Sequence, residues 1–151
     1  MSATTPTRKP KIVLSQTDHD RLSTLAQTIE RRNPEAAEEL QIELARAKLV
    51  ADHRLPEDSV RMGSVVTYQI EGAAPRTVTL VYPGEADIDA GRVSVLTPIG
   101  TALLGLSPGQ TMPWTSLSGD LKRLLVISVI QNDALLAAAD KDRPALHAQA
   151  G

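Results

Sequence analysis

Hydrophobic positions recur at two different periods along the chain, and the change of period divides it. Leu22, Leu25, Ala26 and Ile29 fall at helical spacing, and so do Ala37, Leu40, Leu44 and Ala47 further on. Ser15-Gln16-Thr17-Asp18 offers a hydroxyl cap followed three residues later by an acid, the pattern of a helix start. Asn33-Pro34 both ends the first stripe and opens the second. Asn suits the capping position, and Pro at the first helical position lacks an N–H that would have no partner there. Two apolar stripes across so short a break predict an antiparallel helical hairpin. Each arm is expected to run roughly 16 residues, about 24 Å.

From Met62 the period becomes two. The pattern predicts strands over 63–70 and 76–82, joined through Glu71-Gly72-Ala73-Ala74-Pro75. Pro83-Gly84 ends the second strand. Shorter strands follow at 92–96, around Met112 and Trp114, and at 124–131, with a helix at 99–104 closed by Gly105. Thr97-Pro98 sets the entry to that helix. The residue before proline avoids helical backbone, Thr caps, and Pro takes the first position. The expected fold class is α+β: a short N-terminal antiparallel helical hairpin, then an antiparallel β-sheet domain of about 70 residues with one short helix. The expected parts are a disordered lead-in at 1–11, the hairpin at 12–54, a linker at 55–61, the sheet domain at 62–133 and a flexible tail at 134–151.

Composition narrows the chemistry. The 151 residues carry a net charge of −2, with no cysteine, no phenylalanine, one tryptophan and two tyrosines. Zero cysteines exclude disulfides and thiolate metal sites, and fit a reducing cytoplasm. Three large aromatics are too few to line a small-molecule pocket or a base-stacking platform while also filling a core. Direct DNA binding lacks a basic stripe. No apolar run approaches the roughly 18 residues of a membrane span. The expectation is a cytoplasmic monomer without membrane contact.

Catalytic motifs are missing. Asp18-His19-Asp20 resembles a metal cluster, but consecutive helical side chains point about 100° apart and do not converge on one ion. His53 and His147 have no partner at ligand spacing. No histidine lies in the expected sheet domain to serve a serine triad, and there is no phosphate-cradling glycine loop. Glu85, Asp87 and Asp89 lack the oxygen spacing of a calcium loop and read as a solvated acidic loop. No catalytic residue, metal ligand or cofactor site is therefore expected. Charge is uneven: residues 12–60 hold ten acids against six bases, net −4. Glu35, Glu38 and Glu39, placed at the hairpin tip, have two readings. They complement the positive end of a helix dipole, or they present a local negative potential to a metal or a basic partner. The turn at Leu96–Gly100 also has two components, packing of one helix face and an apolar corner left exposed for a protein partner.

The run "GEADIDAGRVSVLTPIGTALLGLSPGQ" resembles the C-terminal domain of the Gre transcript-cleavage factors, which is FKBP-like. The blocks "ELARAKLV", "SVVTY", "TLVYP", "SVLTPIGTALLGL" and "MPW" are similar, in order, to the Gre-related regulators of nucleoside diphosphate kinase (Rnk), from Ile12 to Asp133. The resemblance implies a regulator that binds core RNA polymerase at the rim of its secondary channel. It would compete there with other channel-binding factors and meet DNA only through the polymerase. It places Ser94, Leu96, Thr97, Pro98 and Ile99 at the contact. Gre cleavage factors carry a D-x-x-E tip on a much longer coiled coil. The nearest match here is Glu35-Ala36-Ala37-Glu38, on an arm too short to reach a polymerase metal, so no stimulation of transcript cleavage is expected. Two alternatives stand beside this: a peptidyl-prolyl isomerase, from the FKBP-like fold alone, and a protein-level regulator of nucleoside diphosphate kinase.

Overall fold

A computed structural model describes residues 9–116 and 118–131; most of the lead-in and the whole tail lie outside them. The first stripe folds as α1, Gln16–Ile29, preceded by a short strand β1, Val13–Ser15. Ser15 caps it as expected, its hydroxyl accepting from the Asp18 N–H at 3.1 Å. The reciprocal half of the capping box is not made. The Asp18 carboxylate instead accepts from the Met62 N–H at 3.0 Å, tying α1 to the start of the sheet domain. The second stripe folds as α2, Pro34–Arg46, with the Asn33 side chain accepting from the Ala36 N–H. The arms are 14 and 13 residues long, about 20 Å each, slightly shorter than the pattern predicts. The difference arises at Ala47, which has extended backbone and leads into β2, Lys48–Val50. β1 and β2 pair in parallel, Val13 with Lys48 and Ser15 with Val50. Neither strand is expected from the sequence, because three residues are too few to display a period.

The remaining strands are β3 (Val65–Ile70), β4 (Arg76–Val81), β5 (Arg92–Ser94), β6 (Thr111–Thr115) and β7 (Leu121–Ile130), with helix α3, Pro98–Leu103, between β5 and β6. They form one five-stranded sheet in the order β5-β4-β3-β7-β6, antiparallel except for the β4–β5 pair. A register shift beside Thr67 and Tyr68 marks a bulge between β3 and β7. The α+β expectation is met. Glu85, Asp87 and Asp89 lie in an exposed loop, where Asp87 caps a 3-10 turn. Among the described residues no three acids or histidines are grouped so as to hold a metal, and no helix is long and apolar enough to cross a membrane.

One hydrophobic cluster runs through hairpin and sheet alike. Leu22, Ala26, Leu40 and Leu44 of the hairpin are buried with Val66, Leu80, Leu103, Leu124 and Val126. The 55–61 segment, expected as a linker, joins this core. Leu55 and Val60 are buried, and Val60 exchanges backbone hydrogen bonds with Gly105 and Leu106. Gly105 has φ +80, and a Cβ there would lie 2.7 Å from that of Ile12, so glycine is required on both counts. A smaller cluster of Ile29, Ala36 and Ala37 at the far end of the hairpin packs against Leu96. The hairpin therefore lies along the sheet domain and does not project from it.

Candidate protein-binding surface

The corner before α3 is built from overlapping hydrogen bonds. Thr97 is the N-cap: its hydroxyl accepts from the Gly100 N–H at 3.0 Å and donates to the Ser94 carbonyl at 2.7 Å. The Ser94 hydroxyl accepts from the Leu96 N–H at 3.0 Å, and Thr101 donates to the Val95 carbonyl at 2.6 Å. Gly100 is buried beneath this crossing. A Cβ at that position would sit 2.1 Å from the Ser94 oxygen and 2.8 Å from the Val95 Cα. Helix and strand end thus approach as closely as backbone allows. The sequence pattern includes Gly100 in an exposed apolar corner; in the fold it is buried, and its missing side chain is what lets α3 dock.

The five residues named for a partner contact divide. Thr97 and Pro98 are exposed, and Leu96 and Ile99 are half-buried. Leu96 packs on the hairpin's end cluster, which joins the corner to Ile29, Ala36 and Ala37. Ser94 is only 9% exposed and its hydroxyl is engaged. It supports the corner from within and presents almost no surface of its own.

Glu35, Glu38 and Glu39 are exposed on the first two turns of α2, Glu35 just beyond the turn that links the helices. The turn linking the helices is Glu30-Arg31-Arg32-Asn33, so two arginines stand at the crown of the hairpin. The glutamates line a cleft of about 1220 Å³ together with residues of α3 and β6. Pro98, Pro113 and Trp114 line it too. Sequence periodicity identifies which α2 positions are polar; the cleft they border depends on where β6 lies.

One acid of α2 has a different role. The Glu43 side chain is 3% exposed, bound by Lys9 Nζ at 2.9 Å and by Arg46 Nη2 at 2.8 Å and Nε at 2.9 Å. Arg46 also donates to the Pro10 carbonyl and to Met112 Sδ at 3.8 Å. This network fastens the N-terminal segment and β6 to α2. A buried carboxylate survives because its lone pairs meet two cations. Glu43 falls three residues after Leu40 and four before Ala47, at the edge of the apolar stripe, whereas Glu35 and Glu38 lie on the far side of the helix.

Away from the cleft, burial pushes the Asp18 carboxyl above the ordinary carboxylate range, opposed by the Met62 N–H and by Arg61 and Arg21. Tyr82 lies nearby, its hydroxyl buried. Desolvation, then the Asp18 charge, raises its pKa, opposed by Arg21. Asp52 is shifted the opposite way, because its carboxylate accepts from the Thr17 hydroxyl and from the Thr17 N–H at 3.1 Å in the first turn of α1. Asp18 and Asp52 each tie the start of α1 to a distant segment.

Comparison with known proteins gives two adjoining family matches. Residues 55–131 match the model described as transcription elongation factor, GreA/GreB, C-term. Residues 10–50 match the Rnk N-terminus. The regulator of nucleoside diphosphate kinase of Escherichia coli (strain K12) is 30% identical over 122 residues, 80% of this chain and 90% of that protein. GreA of Roseiflexus sp. (strain RS-1) is 38% identical over 84 residues, covering 55% of this chain and 54% of that one. A solved transcription elongation factor GreA/GreB from Nitrosomonas europaea superposes with a TM-score of 0.65 at 35% identity, spanning 80% of this chain and 99% of its own.

Proposed function

This chain belongs to the GreA/GreB family of transcription elongation factors, with an Rnk-type N-terminal part, and we propose that it regulates transcription by binding RNA polymerase without stimulating transcript cleavage. Its contact with the polymerase is the corner formed by Leu96, Thr97, Pro98 and Ile99, near the secondary channel, where it competes with other channel-binding factors. The observation that supports this contact is an exposed Thr97–Pro98 edge braced by the Ser94, Thr97 and Gly100 hydrogen bonds. A surface held in its bound shape loses little conformational entropy on docking. The absence of cleavage follows from what the hairpin carries. Its arms are 14 and 13 residues, its crown carries Arg31 and Arg32 beside Glu30, and Glu35, Glu38 and Glu39 line the cleft. An arm of about 20 Å is too short to carry its acids to a polymerase metal, and an acid that does not reach the metal cannot help ligate it.

Co-purification with core polymerase tests the contact, comparing the wild-type chain with Pro98→Ala and Leu96→Asp. Both variants are expected to reduce retention, Leu96→Asp more strongly. Its melting curve is recorded alongside, because Leu96 also packs on the hairpin. Full retention of a folded Leu96→Asp variant and of Pro98→Ala would place the contact elsewhere. Stalled elongation complexes test the second half: rapid 3′ shortening of the transcript on adding the protein would refute the absence of cleavage.

A further inference from the structure

The cleft beside the corner has a chemistry of its own. Its volume of about 1220 Å³ exceeds the roughly 300–1,000 Å³ of small-molecule pockets and suits a stretch of polypeptide. Its lining includes five carboxylates (Glu35, Glu38, Glu39, Glu43 and Glu71) against two lysines, Lys9 and Lys122, a net of −3. The charges are segregated: four of the five acids belong to α2. Glu35, Glu38 and Glu39 are exposed and make no ion pair with any described residue. Pro98 of α3 and Pro113 and Trp114 of β6 line the same cleft, with Lys122 paired to Trp114 on β7.

One end of the cleft is already occupied in a way that reveals its preference. Lys9 lines the cleft and sets its ammonium 2.9 Å from Glu43. Glu39 and Glu35 precede Glu43 by one and two turns of the same helix, and they repeat the carboxylate without the lysine. We propose that this cleft is a docking groove for a basic segment of a partner protein. The partner's lysine or arginine heads would meet Glu35, Glu38 and Glu39, while its aliphatic stems and apolar residues lie on Pro98, Pro113 and the Trp114 ring. Long basic side chains present these two surfaces together, and an arginine over an indole face gains a cation–π contact. Lys122 fixes the polarity, turning cations toward α2 and away from β7. The assignment deepens the polymerase reading, on which it rests for the identity of the protein that supplies the segment.

Trp114 is the chain's single tryptophan, so its fluorescence reports the groove alone. The full chain is titrated with a peptide of about 12 residues built from Lys, Pro and Leu, and with its counterpart carrying Glu for Lys. A saturable change in Trp114 emission is expected with the basic peptide only. Its Kd should rise about tenfold in the double variant Glu38→Lys/Glu39→Lys, equivalent to about 1.4 kcal/mol, and rise again between about 50 and 300 mM salt as the charges are screened. Both positions are exposed, so the variant keeps its fold. The proposal is overturned if emission does not saturate, or if the double variant titrates like the wild type. It is equally overturned if deleting residues 1–8 alone reproduces the emission change, because the chain's own segment would then fill the groove. Retention on core polymerase is measured with the same variant: about tenfold weaker binding is expected, and unchanged binding sinks the assignment. A wild-type chain that binds the peptide but retains no polymerase would count against the polymerase reading alone.

Discussion

Replacing Gly100 by alanine adds one methyl group at a place with no room for it. The new Cβ would lie 2.1 Å from the Ser94 carbonyl oxygen and 2.8 Å from the Val95 Cα. Ordinary van der Waals contact begins at 3.4 Å, so α3 must withdraw by more than about 1 Å. The obstacle is backbone on both sides, which no rotamer change relieves. That withdrawal loosens the Thr97–Ser94 and Thr101–Val95 hydrogen bonds, now 2.7 and 2.6 Å. Overpacking of this kind costs about 1–3 kcal/mol, here near the upper end. Alanine returns about 1 kcal/mol through its better helix propensity, leaving a net destabilisation of about 2 kcal/mol. For a chain of this length that lowers Tm by about 4–8 °C, read by differential scanning calorimetry or from urea midpoints. Gly84→Ala is the control, since nothing lies within 4 Å of its added Cβ, and it should change stability by under about 0.5 kcal/mol. A Gly100→Ala protein melting at or above the wild-type temperature would refute the steric argument and the braced corner with it.

Three further substitutions probe other parts of the fold. Glu43→Ala leaves Lys9 and Arg46 without their shared carboxylate and should cost about 2–3 kcal/mol in urea unfolding, below the full penalty of a broken buried pair because both cations retain some solvent. Gln131→Leu removes an amide that accepts from Arg61 and Ser64 and donates to the carbonyls of Glu57 and Ser59; stranding these groups should lower stability by about 2–3 kcal/mol, measured the same way. Asp18 has a raised folded pKa, so the folded state holds its proton above the ordinary value of 3.8, and stability falls as pH rises from that value through the folded pKa. Asp18→Asn cannot titrate, yet its side-chain carbonyl can still accept from Met62. The gap between variant and wild-type urea midpoints should therefore shift in the variant's favour as pH rises from about 3.5 to 7. A gap that moves the other way would show that the charged Asp18 carboxylate is stabilising.

Local chemistry was legible where a side chain acts on its own turn. Ser15, Asn33 and Thr97 all cap the helices whose starts they mark, and Pro34 and Pro98 take the first positions. The α+β class follows from the change of hydrophobic period, which packing then satisfies. What the sequence does not show is set between distant segments. Asp18 completes a capping pattern on paper, but Met62, 44 residues away, takes its carboxylate. Glu35, Glu38 and Glu39 open α2 just past the Glu30–Asn33 turn, as their spacing suggests, but the cleft they line with residues of α3 and β6 exists only in the folded chain. Ser94 and Gly100 look like ordinary members of an exposed turn until the crossing of β5 and α3 buries them.

The pairing of β1 with β2 constrains how a hairpin of this kind varies. Both feet are stitched together, Val13 to Lys48 and onward, and Asp52 clasps the base again through Thr17. Extra turns can enter only at the crown, where added residues disturb no pairing below. Because Ile29, Ala36 and Ala37 already rest on Leu96, any such growth would overhang the corner into open water. Trimming, conversely, would strip Leu96 of its cover. The present span is therefore the one at which the crown ends level with the corner it shelters.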